Sequence, residues 1–125
     1  MALPQDEINY TGDSLSLNYV LYESKRLNTR WDLTNHAIRF QLGSSSPIKK
    51  ATSNVSGGSD SQIQITDATN GEFSIFITKI ESRALAVGDY DFEIEVTGPA
   101  PSYTRTTVKR GIMRIKSDLI TWESI

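Results

Sequence analysis

The sequence predicts an all-β fold, an antiparallel β-sandwich of about seven strands with one short helical crossover. Apolar and polar residues alternate with period two in several segments, which is typical of strands with one buried face. Turn-forming clusters of Gly, Pro, Asn and Ser separate these segments about every 8–12 residues, as they do in sandwiches. The chain of 125 residues is long enough to bury one core without disulfides.

Five segments alternate clearly, and each places one apolar set on the side predicted to face the core. The sets are Leu15, Leu17, Tyr19 and Leu21; Ile38, Phe40 and Leu42; Ile63 and Ile65; Phe73, Ile75 and Ile77; and Tyr90, Phe92, Ile94 and Val96. A weaker strand is predicted over residues 49–55. Asn70-Gly71 predicts a tight turn between two of the strands.

The last predicted strand, residues 103–117, changes phase along its length. Thr106 and Val108 carry the inward set at even positions, whereas Met113 and Ile115 carry it at odd positions. Only an extra residue can shift this parity without turning the strand over. We therefore predict a β-bulge near Arg110-Gly111.

One helical segment is predicted between the strands. Thr78 and Glu81 have the spacing of a capping box, in which each side chain binds a backbone N–H group at the start of the helix. Tyr90 follows this segment at the start of a late strand, which resembles the tyrosine corner of immunoglobulin-like sandwiches. Phe92 occupies the place where antibody domains have a cysteine. The predicted sandwich is therefore immunoglobulin-like without being an antibody domain.

Composition excludes several classes of function. Thirteen basic and fifteen acidic residues give a net charge of −2, and no basic stripe is evident, so no nucleic-acid partner is predicted. The start, MALPQDEINY, lacks the features of a signal peptide, and no apolar run approaches the roughly 18 residues of a membrane span. No membrane partner is predicted, and we expect folding in the cytoplasm. The absence of cysteine excludes disulfides and thiolate sites.

The order of these features predicts one domain with two extensions. Residues 1–11 are predicted as an N-terminal arm, residues 12–117 as the sandwich, and residues 118–125 as a C-terminal tail. The tail sequence, TWESI at its end, retains apolar residues although it follows the last predicted strand. Either the tail folds back on its own domain or it docks on a neighbouring subunit. The residues predicted for a protein interface are Trp31, Leu119, Ile120, Trp122 and Ile125.

Candidate catalytic groups are few. His36 is the only histidine and lies in a polar turn just before a strand, so it is interpreted as a turn residue rather than a catalytic base. A single histidine cannot build a multi-histidine metal site. We predict no enzyme, no catalytic residue, no metal and no cofactor.

An acidic stripe lies on the outer face of one predicted strand. Its members are Asp89, Asp91, Glu93 and Glu95, and the next strand carries Arg105, Lys109, Arg110, Arg114 and Lys116. Paired carboxylates could indicate glycoside hydrolysis or calcium binding. Cross-strand pairing with the basic strand is the preferred interpretation.

The segment from Trp31 to Leu42 is interpreted as a corner that starts a strand. Asp32 and Asn35 are suited to bind nearby backbone N–H groups in a turn, and Trp31 and Leu33 supply apolar anchors. Exposed aromatic residues can instead serve as sugar-stacking platforms, which leaves a carbohydrate-binding module open. The aromatic candidates are Trp31, Trp122, Tyr22 and Tyr103. Partial burial at the ends of the sandwich is the interpretation that we prefer for them.

Five segments, in order, carry a resemblance to a known family. They are GDSLSLNYVLYE (12–23), WDLTNHAIRFQL (31–42), ITDATNGEFSIFIT (65–78), LAVGDYDFEIEVTG (85–98) and TRTTVKRGIMRIKSDL (104–119). Together they resemble small immunoglobulin-like domains of tailed-bacteriophage structural proteins, including those at the front of baseplate and tail-fibre proteins. Asn35 stands where that family commonly has Gly, and Asn also tolerates the left-handed conformation.

The resemblance implies a phage virion component, either a tail, baseplate or fibre-attachment module acting by protein–protein docking, or a capsid decoration protein. A carbohydrate- or receptor-binding module is the other alternative. The implied partners are other phage structural proteins in a symmetric homo-oligomer or multi-copy assembly. The implied location is the virion, after folding in the host cytoplasm.

Overall fold

Ten strands lie within the residues that the computed structural model describes, which are 7–10, 14–24 and 26–116. They are β1 (Glu7–Tyr10), β2 (Leu15–Val20), β3 (Tyr22–Ser24), β4 (Thr29–Arg30), β5 (Ala37–Leu42), β6 (Ile48–Ala51), β7 (Ile63–Asp67), β8 (Glu72–Ile77), β9 (Gly88–Thr97) and β10 (Arg105–Lys116). A 3-10 turn (Ala68–Asn70) precedes β8, and the helix α1 (Lys79–Arg83) precedes β9. No helix in this part of the chain is long and apolar enough to span a membrane.

Two sheets contain most of these strands. One has the order β1-β10-β9-β5-β6, the other β2-β8-β7, and β3 pairs with β4 in a small ribbon. Neighbouring strands are antiparallel except for β1, which runs parallel to β10. This order corresponds to the variable-type immunoglobulin arrangement, in which an additional strand extends the sheet of the C, F and G strands. The predicted all-β, immunoglobulin-like sandwich is confirmed.

Three short strands were not anticipated. β3 and β4 are too short to show alternation, and β1 lies within the range predicted as an N-terminal arm. β6 ends at Ala51, so the weak strand predicted over 49–55 is shorter than expected. Its C-terminal half is a turn instead, in which Val55 N–H bonds to the Thr52 carbonyl.

The apolar faces of the two sheets form the core. The buried apolar side chains are Leu33, Ile38, Phe40, Leu42, Ile63, Phe73, Ile75, Ile77, Phe92, Ile94, Val96, Met113 and Ile115. The rings of Phe40 and Phe92 lie 6.2 Å apart, centroid to centroid. Both residues belong to the larger sheet, so Phe92, at the position where antibody domains have a cysteine, packs beside a residue of the neighbouring strand β5. Burying such a side chain contributes about 1.5–3 kcal/mol.

The predicted bulge in the last strand exists, but it lies earlier than expected. The pairing of β10 with β9 shifts between Thr107 and Lys109, which makes Val108 the extra residue. Arg110 and Gly111 pair regularly with Glu93 and Phe92. The predicted position was wrong because it relied on a glycine, whereas this bulge leaves Gly111 within regular pairing.

Two polar devices at one end of the sandwich match the sequence prediction. The Thr78 hydroxyl accepts a hydrogen bond from Glu81 N–H (3.1 Å), and the Glu81 carboxylate accepts one from Thr78 N–H (2.9 Å). This confirms the capping box. The Tyr90 hydroxyl donates to the Ala86 carbonyl at 2.6 Å, which confirms the tyrosine corner.

A lysine from the edge of the larger sheet joins the capping box. Lys50 on β6 is only 7% exposed, and its Nζ lies 2.6 Å from both carboxylate oxygens of Glu81. Burial opposes ionisation of Glu81, but the hydrogen bonds from Lys50 and Thr78 outweigh it and lower the pKa of this carboxyl from its ordinary 4.5. The pair ties α1 to the sheet edge.

Three backbone segments meet at Gly71, which directly precedes β8, whereas the capping box at Thr78 follows the other end of that strand. Leu21 N–H bonds to the Gly71 carbonyl (2.9 Å), and Trp31 N–H bonds to the Leu21 carbonyl (3.0 Å). Gly71 has a φ of +68°, and a Cβ at this position would lie 2.6 Å from the Leu21 oxygen and 2.8 Å from the Trp31 oxygen. The predicted turn at Asn70-Gly71 therefore also fixes the start of the Trp31 segment.

We expect Gly71→Ala to destabilise the fold much more than Gly57→Ala. Both glycines have positive φ, but a Cβ at Gly57 would meet nothing within 4 Å. Gly57→Ala should therefore cost about 1–2 kcal/mol from backbone strain. Gly71→Ala should cost about 1–3 kcal/mol more, because carbonyl oxygens must move. Urea unfolding of the two variants measures the difference, and equal losses would contradict the close approach.

The Glu81–Lys50 pair should make stability depend on acid pH. A carboxyl whose pKa is lower in the folded protein stabilises the fold above its unfolded pKa, and this contribution is lost as pH falls through the folded pKa. For Glu81 the loss begins near pH 4.5 and continues below it. Glu81→Gln should flatten this part of the curve of unfolding free energy against pH. Glu23→Gln, at an exposed carboxyl of β3, is the control and should leave the curve unchanged.

Candidate docking surfaces

The segment that leads into β5 is a structural corner. The Asp32 carboxylate accepts hydrogen bonds from the backbone N–H (2.9 Å) and the hydroxyl (2.6 Å) of Thr34. The hydroxyl bond from Thr34 is the main reason that the pKa of Asp32 is lowered. Asn35 adopts a φ of +61°, and Leu33 is fully buried. The predicted turn is confirmed, with Asn35 acting through its backbone conformation.

His36 belongs to the same corner. Its Nδ1 lies 2.9 Å from the Thr34 carbonyl oxygen, which can only accept, so this nitrogen donates. Its ring meets the edge of Trp31, with centroids 6.2 Å apart and planes at 84°. Within the described residues, no group of three or more His, Cys, Asp or Glu side chains is placed to hold a metal ion. The contacts of His36 are those of a turn residue.

The residues predicted for a protein interface are placed only in part. Trp31 is half-buried and packs against the core. Leu119, Ile120, Trp122 and Ile125 lie outside the described residues. Of the other aromatic candidates, Tyr22 lies beneath the Arg30 guanidinium, 5.0 Å from ring centroid to Cζ, and Tyr103 is 62% exposed.

Three members of the acidic stripe form ion pairs across the outer face of the larger sheet. Glu93 pairs with Arg110 of β10 at 3.2 Å, and Asp89 pairs with Arg114 at 3.7 Å. Both confirm the predicted cross-strand pairing with the basic strand. Glu95 instead pairs at 3.6 Å with Arg39 of β5, which was not anticipated. β9 has a neighbour on each side, and alternation alone cannot identify the second neighbour.

This outer face is concave and nearly charge-balanced. The hollow has a volume of about 1100 Å³, and residues 55–57 and Ser44 form part of its wall. Arg39, Glu93 and Glu95 also line it. Carboxylates two positions apart on one strand, each turned toward a different cation, do not converge on a common point. Glu93 and Glu95 are therefore used in ion pairs within their own sheet.

The sequence interpretation missed the positions of two lysines, because it assigned no role to Lys50 and counted Lys109 among the basic residues of the last strand. Lys50 pairs with Phe40 in register, so it lies on the inward side of β6. Lys109 follows the bulge and pairs with Ile94, and its Nζ lies 5.1 Å from the centroid of the Tyr19 ring. The alternation of side chains along β6 could have shown that Lys50 faces inward. The inward position of Lys109 could be recognised only after the bulge at Val108 had been located, because the bulge changes which residues face the core.

Comparisons with known proteins bear on the fold. No protein-family model matches the chain, and no curated protein is similar to it in sequence. Its structure is similar to that described as "The three dimensional structure of NK cell receptor Nkp44, a triggering partner in natural cytotoxicity". The sequences are 14% identical, the TM-score is 0.53, and the match covers 92% of this chain and 100% of that one. The likeness shows an immunoglobulin-like fold.

A double-mutant cycle on Glu93 and Arg110 tests whether the stripe is used in pairing. With both side chains partly exposed, Glu93→Ala and Arg110→Ala should show a coupling of about 0.2–1 kcal/mol in unfolding free energy. A parallel cycle on Glu93 and Lys116 should show none, because the two are six β10 positions apart in register. A Glu93–Arg110 coupling as small as that of the control would remove the pairing interpretation.

Proposed function

We propose that this protein is a structural component of a tailed-phage virion, a tail, baseplate or fibre-attachment module that acts through protein–protein docking. The observation that carries the proposal is the ordered set of sequence segments that resembles immunoglobulin-like domains of phage structural proteins. The partners are other virion proteins in a multi-copy assembly. The chain folds in the host cytoplasm and then takes its place in the particle.

The structure supports this proposal through the roles of the resembling segments. Asn35 adopts the left-handed conformation at the position where the family commonly has Gly, so the turn is preserved. Gly71 allows the turn before β8. Tyr90, in β9, bonds back to Ala86 and so forms the tyrosine corner at the start of this strand. The segments that carry the resemblance are therefore the ones that determine this fold.

The surface also supports a role in protein–protein docking rather than in catalysis. The Glu93 and Glu95 carboxylates are held by cations of their own sheet, and His36 is held by its turn. The surfaces available to a partner are the ends of the sandwich, the sheet edges and the nearly charge-balanced concave face of the larger sheet. Many copies on a symmetric particle give avidity even where each contact is weak.

Analysis of purified particles tests the proposal. Virions of the phage or induced prophage whose genome encodes the chain should contain it at multi-copy stoichiometry, measured by quantitative mass spectrometry after density-gradient purification. Deletion of its gene should yield particles with defective tails or missing fibres in electron micrographs.

The outcomes separate the alternatives. A chain that stays in the lysate and is absent from particles overturns the proposal, as does a genome with no phage genes around it. A chain that is located on the capsid shell replaces the tail assignment with that of a decoration protein.

A further inference from the structure

We propose that two copies of this chain pair through the edge of β2 that faces away from β8, antiparallel and with a twofold axis at Asn18. The inference rests on the proposed docking function and names its partner as a second copy. The pairing would join the two three-stranded sheets into one continuous sheet of six strands. Among the described strands β2 pairs with β8 only, so one side of it is an edge.

Hydrogen bonding in the smaller sheet shows which backbone groups of β2 are directed away from β8. Phe76 N–H bonds to the Gln62 carbonyl, on the β7 side, so Phe76 does not bond to its partner Ser16 on β2. Antiparallel pairs alternate between bonded and non-bonded. The backbone N–H and C=O groups of Ser16, Asn18 and Val20 are therefore directed to the edge that faces away from β8.

The edge of β2 lacks the features by which proteins usually prevent edge pairing. Its sequence, LSLNYV, has no charge and no proline, and its pairing with β8 runs over six residues without a shift. Such an edge is a template for another strand.

The other edges in the described part of the chain are short or protected. β6 carries two lysines, and its Ala51 N–H is bound by the Gln62 side chain. The pairing of β7 with β8 shifts between Ile65 and Asp67. β1 has only four residues.

A second copy fits this edge because the edge is self-complementary. With the axis at Asn18, each Ser16 lies opposite Val20 of the second copy, and the two Asn18 residues lie opposite each other. No charge meets a like charge, and amide side chains can bond to each other across the axis.

The apolar side chains on the inner face of the same strand are only half-buried, and a second copy would bury them further. Leu15, Leu17 and Tyr19 are each only partly buried, whereas their register partners Ile77, Ile75 and Phe73 on β8 are at most 1% exposed. In the paired state Leu17 would lie opposite Tyr19 of the second copy. The inner row gains cover, and on the outer row the exposed side chain of Val20 lies opposite Ser16 of the second copy.

Cysteine cross-linking tests the register directly, because the chain has no cysteine of its own. Directly opposed residues in such a bonded pair have Cα atoms about 5.5 Å apart, which is within the range of a disulfide. Asn18→Cys should give a disulfide dimer under mild oxidation on a non-reducing gel. Gln64→Cys, at an exposed site on β7, is the matched control and should give at least about tenfold less dimer.

A second measurement covers the case in which Asn18→Cys loses stability, since Asn18 accepts a hydrogen bond from Ser74. A mixture of Ser16→Cys and Val20→Cys chains should cross-link to each other faster than either chain does to itself. In sedimentation the wild type should show concentration-dependent dimer, and Asn18→Lys should remain monomeric because two lysines would meet at the axis.

Cross-linking of Asn18→Cys no faster than of Gln64→Cys, together with a monomeric wild type, overturns the edge pairing. That result would mean that another part of the chain, or another protein, covers the edge of β2. The particle analysis decides the docking function separately. A chain that is present in virions but does not pair through β2 leaves that function standing.

Discussion

The contact between the apolar faces of two sheets is the interaction on which the rest of this structure depends. No cysteine is available, so no disulfide joins the sheets, and the buried apolar side chains of the two inner faces pack against each other. Because side chains alternate across a strand, this contact fixes the register of every long strand: a slip of one residue would expose the apolar row. It also leaves a complementary polar row on each outer face, and the ion pairs of β9 follow from that alternation.

Polar interactions act mainly where the chain leaves a sheet. The capping box starts α1, the Tyr90 hydroxyl closes the corner before β9, and Gly71 allows three backbone segments to meet. Each satisfies or accommodates backbone groups that would otherwise lack a partner. The Lys50–Glu81 pair connects this set to the edge of the larger sheet. The corners therefore direct where consecutive strands go, while the core decides which face of each strand is buried.

This division explains what the sequence could predict. Core-forming strands leave a local signal, so β5, β8 and β9 were predicted almost to the residue, and the polar corners were identified from their own residue types. β1, β3 and β4 depend on partners distant in sequence and carry no alternation. The bulge was predicted from parity, but its position was not, because Val108 was assigned to the inward row and the extra residue was therefore placed between Val108 and Met113. Val108 was selected by pairing with β9, which is a property of two strands together.

The same reasoning applies to the candidate surfaces. Ion pairs within the stripe were predictable as a class, since acidic and basic rows lie on consecutive strands, yet Glu95 selected Arg39 from a strand about fifty residues earlier. An edge is harder still to recognise, because its binding groups are backbone atoms that every residue has. What distinguishes β2 is the absence of charge, proline and irregularity over six residues. This absence acquires meaning only once the sheet order shows that, among the strands described, β2 has a neighbour on one side only. Which backbone groups an edge presents is therefore determined by topology first and by side chains second.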